Sequence, residues 1–220
     1  MRIVRLVALM VAVATIGTLA QPTPAGAATT TARRMFASLT VANEGGSTTY
    51  QRAYFRHWID YDGDCQNTRA EVLIAESRVP VRFTSASRCT VATGNWVSPW
   101  DQKVTTLASD LDADHTVALK EAWESGARGW SAINRQRFAN DTWSYTINGL
   151  TDNVNSSKGD RDIAQWLPPA TSTRCAYARQ VVAIKYRWKL TINTAERNVL
   201  AYIFAGSCGN IAMTVPPRAM

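Results

Sequence analysis

The four cysteines of this 220-residue chain constrain its fold more than any other feature. None of them has the Cys-x-x-Cys spacing of a zinc ribbon, which disfavours a zinc site. In an oxidising compartment four cysteines predict two disulfides, and the sequence leaves three pairings open. Pairing the first with the second and the third with the fourth would staple one loop in each half of the chain. The cysteines are Cys65, Cys89, Cys175 and Cys208.

The first 27 residues indicate that the chain enters such a compartment. Arg2 and Arg5 supply a basic start, Ile3 to Ala20 is largely apolar, and Ala25-Gly26-Ala27 has the small residues of a cleavage site. This order is typical of a secretory signal peptide, and the apolar run is short for a membrane anchor. We therefore expect a secreted, extracellular protein that has no membrane contact after signal removal.

The remaining length fits one domain. Residues 28–48 are rich in Thr, Ala, Ser and Gly and are predicted to form a flexible leader, followed by a folded domain over 49–220. Helical periodicities alternate with short extended runs, which predicts a disulfide-stapled α+β domain, and we expect it to be a monomer. Removing the two signal-peptide arginines lowers the formal charge from +7 to +5. A basic surface suits a polyanionic partner such as nucleic acid.

The chain has only two histidines, His57 and His115, and this scarcity excludes several kinds of enzyme site. A zinc site with two or three histidines is nearly impossible, and so is a His-Glu-x-x-His motif. A serine hydrolase would also lack its usual glycine-flanked serine. The remaining candidate is the dipeptide Asp114-His115, at the end of a strand predicted over Leu111–His115.

This dipeptide offers two groups that suit phosphodiester cleavage. A carboxylate binds a hard divalent cation through oxygen, and a neutral imidazole takes a proton from an attacking water. Further along, Asn155 offers a second oxygen ligand, and Lys158 is a candidate catalytic contact to phosphate. The structural alternatives are a satisfied histidine at a capped strand end, a helix cap at Asn155 and a solvated Lys158.

A longer series of segments gives this dipeptide a context. The segments are Trp58-Ile59-Asp60, Asp62-Gly63-Asp64-Cys65, Thr68-Arg69, Leu111-Asp112, Asp114-His115, Phe138-Ala139-Asn140-Asp141, Asn155, Ser157-Lys158-Gly159-Asp160 and Trp166-Leu167-Pro168-Pro169. Together they resemble the HNH, or ββα-metal, endonucleases, and most closely the secreted actinobacterial HNH endonuclease family. The resemblance extends from Tyr50 to about Leu200.

The resemblance implies an embedded ββα-metal motif over about 108–166 and a role for each site residue. His115 becomes the general base, and Asp114 and Asn155 become ligands of one Mg²⁺, with Mn²⁺ as the alternative. Asn140 becomes the asparagine that orients the histidine, with Asn148 and Asn153 as competitors. The implied activity is hydrolysis of phosphodiester bonds in DNA, with RNA as a second candidate substrate.

Four arginines are candidate contacts to a nucleic-acid backbone. An internal ion pair with Glu71 is the alternative for the first of them, and an ordinary solvated surface is the alternative for the others. The four are Arg69, Arg128, Arg135 and Arg137.

The acidic turn Asp60, Asp62 and Asp64 is a candidate Ca²⁺ site, although it lacks the spacing of an EF-hand. Ordering of its own loop is the alternative role. Two further functions therefore stay open beside the nuclease. One is a catalytically silent nucleic-acid-binding module, and the other is a calcium-stabilised secreted structural module.

Overall fold

Helices and short strands alternate along the chain in a computed structural model that describes residues 28–144 and 146–220. The helices are α1 (Ala32–Ala37), α2 (Thr68–Glu76), α3 (Leu119–Glu124), α4 (Ala132–Ala139), α5 (Asp152–Lys158), α6 (Arg174–Arg187) and α7 (Thr194–Ala205). The strands are β1 (Thr29–Thr31), β2 (Arg82–Phe83), β3 (Val91–Val97), β4 (Val104–Leu107), β5 (Leu111–His115), β6 (Ile147–Thr151) and β7 (Ala212–Thr214). This order confirms the predicted mixture of helices and strands in a single domain. The predicted signal peptide lies outside the described residues.

The strands pair antiparallel in three small sheets, β1 with β7, β2-β3-β4, and β5 with β6. The β5–β6 pair has an unbroken register, with Leu111 opposite Thr151 and His115 opposite Ile147. Helix α5 begins directly after β6. Two antiparallel strands, with α3 and α4 between them in the sequence, and the helix after the second strand therefore form one structural unit, which we call the β5–β6–α5 unit.

Helix α6 organises the larger of two hydrophobic cores. Its predicted apolar stripe, Tyr177, Val181, Ile184 and Trp188, is buried, and Val182 on the opposite side is buried as well. Helix α6 is thus buried on more than one side, and α1 and α7 pack against it. A smaller core lies under α2 and includes Leu73, Trp96 and Leu111.

A buried charge cluster joins three helices within the larger core. The Lys185 ammonium of α6 lies 2.6 Å from a carboxylate oxygen of Glu121 in α3 and 2.6 Å from one of Glu196 in α7. Burial raises the pKa of Glu196 to about 7, and the positive charge of Lys185 opposes that rise. Removing one charge of this cluster would cost more unfolding free energy than removing an apolar contact, because another buried charge would be left without its partner.

Residues 28–48 are part of the fold, which corrects the prediction of a flexible leader. Helix α1 buries Ala32 and Met35 in the larger core. The Arg33 guanidinium donates to the Phe204 carbonyl at 2.7 Å, at the end of α7. The physical reason is local, because threonines favour a strand and Ala-Arg-Arg-Met contains good helix formers after a threonine cap.

Two disulfides close loops in the two halves of the chain, which confirms the prediction and settles the pairing. Cys65 pairs with Cys89, and this bond ties the acidic turn to the residues just before β3. Cys175 pairs with Cys208, and this bond ties the start of α6 to the turn after α7.

Candidate functional site

The β5–β6–α5 unit contains four of the residues predicted for the site, Asp114, His115, Asn155 and Lys158, and joins them with Asp112, which was not predicted. Asn155 Nδ2 in α5 donates to Asp112 Oδ2 in β5 at 2.8 Å. Lys158 Nζ, one turn further along α5, lies 2.8 Å from Asp114 Oδ2. Because Asp112 and Asp114 are two residues apart in a strand, they point to the same face of the β5–β6 pair, the face that α5 covers.

Lys158 lies inside the protein rather than on its surface. Its side chain is completely buried, and its ammonium also donates to the His115 carbonyl at 2.8 Å. The phosphate contact expected for Lys158 is therefore not available in this arrangement, because a buried ammonium with two partners does not reach a substrate. Lys158 instead neutralises Asp114 and holds the end of β5.

Asp114 combines burial with one accessible side. Burial raises the pKa of the Asp114 carboxyl, and the neighbouring Lys158 ammonium opposes that rise. Oδ2 is fully buried against Lys158, yet 14% of the side chain is exposed. The exposed part therefore belongs to the rest of the side chain, which includes Oδ1.

His115 is buried at the end of β5, with its ring fixed by a backbone carbonyl. Its Nε2 lies 2.9 Å from the carbonyl oxygen of Ala139, the last residue of α4. Since a carbonyl only accepts hydrogen bonds, Nε2 carries the proton and Nδ1 carries the lone pair in the neutral ring. Burial, with a smaller effect from nearby positive charges, lowers the pKa of His115 to about 3, so the imidazole is neutral at ordinary pH.

Two aromatic rings lie nearly parallel to the His115 imidazole. The Trp58 indole stacks on it with ring centroids 5.6 Å apart, and the Phe138 ring lies 6.2 Å away. His57 meets Trp58 edge-on at 5.3 Å. Both histidines of the chain therefore flank the same indole.

Asn140, predicted to orient His115, makes its hydrogen bonds elsewhere. Its Nδ2 donates to the carbonyls of Arg56 and Gln136, and its Oδ1 accepts from the Ile59 amide and the Thr68 hydroxyl. The amide thus uses all four of its hydrogen-bonding positions. The carbonyl that holds His115 belongs to the preceding residue.

The competing asparagines lie outside this arrangement. Asn148 is opposite Asp114 in the β5–β6 ladder, and its Nδ2 donates to the Thr116 hydroxyl. Asn153 is exposed on α5. Neither has a described contact with the His115 ring.

Three of the four predicted backbone-contacting arginines turn toward main-chain carbonyls. Arg69 donates to the carbonyls of Ala108 and Leu111 at 2.9 Å each, rather than forming the ion pair considered for it. Arg128 and Arg135 each donate to two carbonyls as well. Arg137 is exposed and lines a cavity of about 530 Å³ that Asn140 also borders.

Sequence reasoning missed Arg52, whose charge acts on two residues of the candidate site. Arg52 is exposed, and its charge acts on both Asp114 and His115. Burial and the Asp160 carboxylate raise the pKa of Tyr50, while a hydrogen bond from Arg52 opposes that rise. The signal available in the sequence was the concentration of Arg, His and aromatic residues before the acidic turn, where we assigned no catalytic role.

The acidic turn orders its own loop. Carboxylate oxygens of Asp60, Asp62 and Asp64 lie within 4.8 Å of one another, and all three residues are exposed. Asp60 accepts from the amides of Gly63 and Cys65 at 2.8 and 2.9 Å. These bonds are those expected of the loop-ordering role.

The chemistry of the donor set beside α5 fits a hard divalent cation. Asp114 keeps part of its side chain exposed, and Asn155 keeps Oδ1 as an acceptor because its Nδ2 is bound to Asp112. Carboxylate and amide oxygens are the ligands that Mg²⁺, Mn²⁺ and Ca²⁺ take from proteins. Asp112 then orients the amide from behind, as outer residues do at metal sites.

One comparison with known proteins gives a match. An uncharacterized secreted protein of Arthroderma benhamiae is 39% identical over 180 residues, which is 81% of this chain and 86% of the Arthroderma protein. No family model matches the chain, and no solved structure matches it. Among the described residues, no helix is both long and apolar enough to span a bilayer. The similarity confirms the predicted localisation: the protein is secreted.

Proposed function

The chain belongs to the family of the secreted Arthroderma benhamiae protein, and from that premise we propose that it is a secreted HNH-type, or ββα-metal, endonuclease. The observation that carries the proposal is the β5–β6–α5 unit. It holds a carboxylate and an imidazole at the end of β5 and an amide in α5, the helix that follows the paired strand β6. The substrate is DNA, with RNA as the second candidate.

His115 takes the proton of the attacking water in this proposal. Its Nδ1 carries the lone pair, because Nε2 is bound to the Ala139 carbonyl. A low pKa keeps the ring unprotonated before the substrate arrives. The negative charge of a phosphate beside Nδ1 then favours the protonated form, which offsets the burial. General base catalysis of this kind contributes about 10²- to 10⁴-fold.

Asp114 and Asn155 would hold the divalent cation. Mg²⁺, or Mn²⁺ in its place, supplies positive charge that polarises the phosphate and stabilises the leaving oxygen. The Lys158 ammonium, 2.8 Å from the carboxylate, favours the ionised form of Asp114 and opposes the effect of burial on its pKa. Asp112 holds the Asn155 amide with its oxygen directed away from the hydrogen-bonded Nδ2.

Arg52 is the proposed contact to the phosphate. It is exposed, and its charge reaches both Asp114 and His115. The arginines at 69, 128 and 135 already donate to backbone carbonyls, so they have fewer donors left for a substrate. Arg52→Ala is expected to weaken substrate binding and to reduce the salt dependence of that binding.

The first experiment incubates purified protein with plasmid DNA and with RNA, in Mg²⁺, in Mn²⁺ and in EDTA. We expect cleavage that requires the metal, and His115→Ala is expected to lose about 10²- to 10⁴-fold of it while retaining DNA binding. Asn198→Ala, an exposed substitution on α7, is the matched control and keeps full activity. Intact plasmid in every metal tested would contradict the enzyme.

The same preparation separates the two alternatives. A catalytically silent module binds DNA and leaves it uncut whatever the metal. A calcium-stabilised structural module ignores DNA, and its melting temperature rises with Ca²⁺ in a way that depends on Asp60, Asp62 and Asp64. The nuclease hypothesis predicts neither DNA binding without cleavage nor Ca²⁺-dependent stability without DNA binding. Each experimental outcome therefore supports one of the three functions.

A further inference from the structure

Trp58 has a backbone conformation that a bulky residue seldom adopts. Its φ is 55°, in the left-handed region that favours glycine. Such a conformation persists only where the surrounding structure imposes it, and residues of this kind cluster at functional sites. In this conformation the indole of Trp58 lies nearly parallel to the His115 imidazole, with 18° between the ring planes.

The Asn140 side chain imposes this conformation. It binds the backbone on both sides of Trp58, donating to the Arg56 carbonyl at 2.7 Å and accepting from the Ile59 amide at 3.1 Å. Thr68 adds a second hold, because its amide donates to the Ile59 carbonyl at 2.9 Å. The chain is therefore fixed two residues before Trp58 and one residue after it.

Two paths connect Asn140 with His115, and neither is a direct contact. In the first, the Ala139 carbonyl next to Asn140 accepts from His115 Nε2. In the second, the clamp on the backbone sets the Trp58 indole over the imidazole. A hydrogen bond along one edge of a ring still permits rotation about that bond, whereas a parallel indole fixes the ring plane.

We propose that Trp58, clamped by Asn140, is a positioning residue that fixes the ring plane of His115 for proton transfer. The proposal rests on the nuclease function for its catalytic consequence, but the ring geometry itself is measurable without any activity. Trp58 is assigned no contact with the substrate. Its effect on turnover passes through His115 alone.

The kinetic test compares Trp58→Leu, Trp58→Phe and Asn140→Ala with the unsubstituted protein. Trp58→Leu is expected to lower kcat about 10- to 100-fold with little change in KM, because a misplaced base costs that much. Trp58→Phe keeps a flat ring over His115 and is expected to recover most of the rate. Trp143→Leu, which removes a partly buried tryptophan with no described contact to His115, is the matched control.

A double-mutant cycle separates positioning from general loss of structure. In the His115→Ala background, Trp58→Leu is expected to leave the residual rate unchanged, because the group it positions is gone. An equal loss in both backgrounds would overturn the proposal. So would a rate for Trp58→Leu that matches the unsubstituted protein.

The second readout is the proton NMR spectrum of the imidazole rings, which needs no catalysis. Only two histidines occur, so a His57→Gln variant assigns the signals. A parallel indole shifts the His115 ring protons upfield, and we expect Trp58→Leu to remove this shift and Asn140→Ala to reduce it. Unshifted His115 protons in the unsubstituted protein would overturn the geometry. Shifted protons in a protein that cuts no nucleic acid would instead contradict the nuclease and leave the positioning geometry supported.

Discussion

Lys158 shows how one residue can be essential to a site without touching a substrate. It is completely buried, and its ammonium lies 2.8 Å from Asp114, where it favours the charged form of that carboxylate. Lys158→Met leaves that carboxylate without a partner and is expected to cost about 3–5 kcal/mol of unfolding free energy, measured by urea denaturation at pH 7. Adding Asp114→Asn is expected to recover part of the loss, because the unpaired charge is removed.

A surface lysine provides the control for this prediction. Lys103 is 62% exposed and lies 3.9 Å from Asp101. Lys103→Met is therefore expected to change the unfolding free energy by less than about 1 kcal/mol. Similar losses of unfolding free energy in Lys158→Met and Lys103→Met would mean that the buried Lys158–Asp114 pair contributes no more to stability than an exposed pair.

Glu76 gives a pH dependence with a definite sign. It accepts from the Gly149 amide at 2.8 Å on the outer edge of β6, and burial raises its pKa from 4.5 to about 7. Because the folded-state pKa lies above the unfolded-state value, the stability that Glu76 contributes is complete below pH 4.5 and is lost as pH rises through 7. At about 1.4 kcal/mol per pKa unit, the loss reaches about 3 kcal/mol.

The measurement compares Glu76→Gln with the unsubstituted protein by urea denaturation at pH 5, 6, 7 and 8. The variant is neutral throughout, so its stability relative to the unsubstituted protein is expected to rise across this range. Glu196 titrates in the same window, with a pKa of about 7, and contributes equally to both proteins. A difference that stays constant with pH would show that Glu76 does not titrate there.

At the scale of elements, the apolar periodicity of the sequence predicted the strands and helices whose buried faces follow that periodicity. Strand β5 has its predicted bounds, and the stripe on α6 is buried as expected. Helix α4 was missed because its apolar periodicity is weak: Ile133 is exposed, and burial is confined to Phe138 and Ala139 at its end. Composition also misjudged 28–48, where small and polar residues pair and pack with the other end of the chain.

That last correction carries a prediction about α1 and β1. A chain beginning at residue 39 lacks the buried Met35 and the bonds from Arg33 to the end of α7. We expect it to lose at least about 3 kcal/mol relative to a chain beginning at residue 28, since removing a large buried side chain alone costs about 2–5 kcal/mol. Equal melting temperatures for the two chains would contradict this expectation and would support the prediction that residues 28–48 form a flexible leader.

At the scale of the whole molecule, the candidate site divides into a part that the sequence encodes locally and a part that only the fold assembles. Asp114 lies in β5, and Asn155 and Lys158 lie in α5, so their meeting follows from the pairing of β5 with β6 and from the helix that begins directly after β6. Trp58 contacts His115 from a distant segment, the charge of Arg52 acts on His115 from the same segment, and no short-range pattern records either effect. The sequence shows which residues are arginines. Whether an arginine side chain faces solvent or donates to a main-chain carbonyl depends on the carbonyls that the fold leaves without a hydrogen bond.

The disulfides act at the same scale. The Cys175–Cys208 bond closes a loop with a sequence separation of 33 residues between α6 and the turn after α7. Loop closure of that length is expected to contribute about 3–4 kcal/mol, so Cys175→Ala with Cys208→Ala lowers the melting temperature. Calorimetry with and without reductant checks this, and a melting temperature unaffected by reductant would contradict it.

The pairing of β1 with β7 also sets the order in which the protein can be completed. Thr29 lies opposite Thr214, so β1 has no strand partner until residue 214 has been made. A growing chain therefore carries β1 as an open sheet edge, and α1 stays uncovered until α6 and α7 have been made. Synthesis interrupted before residue 214 leaves β1 unpaired.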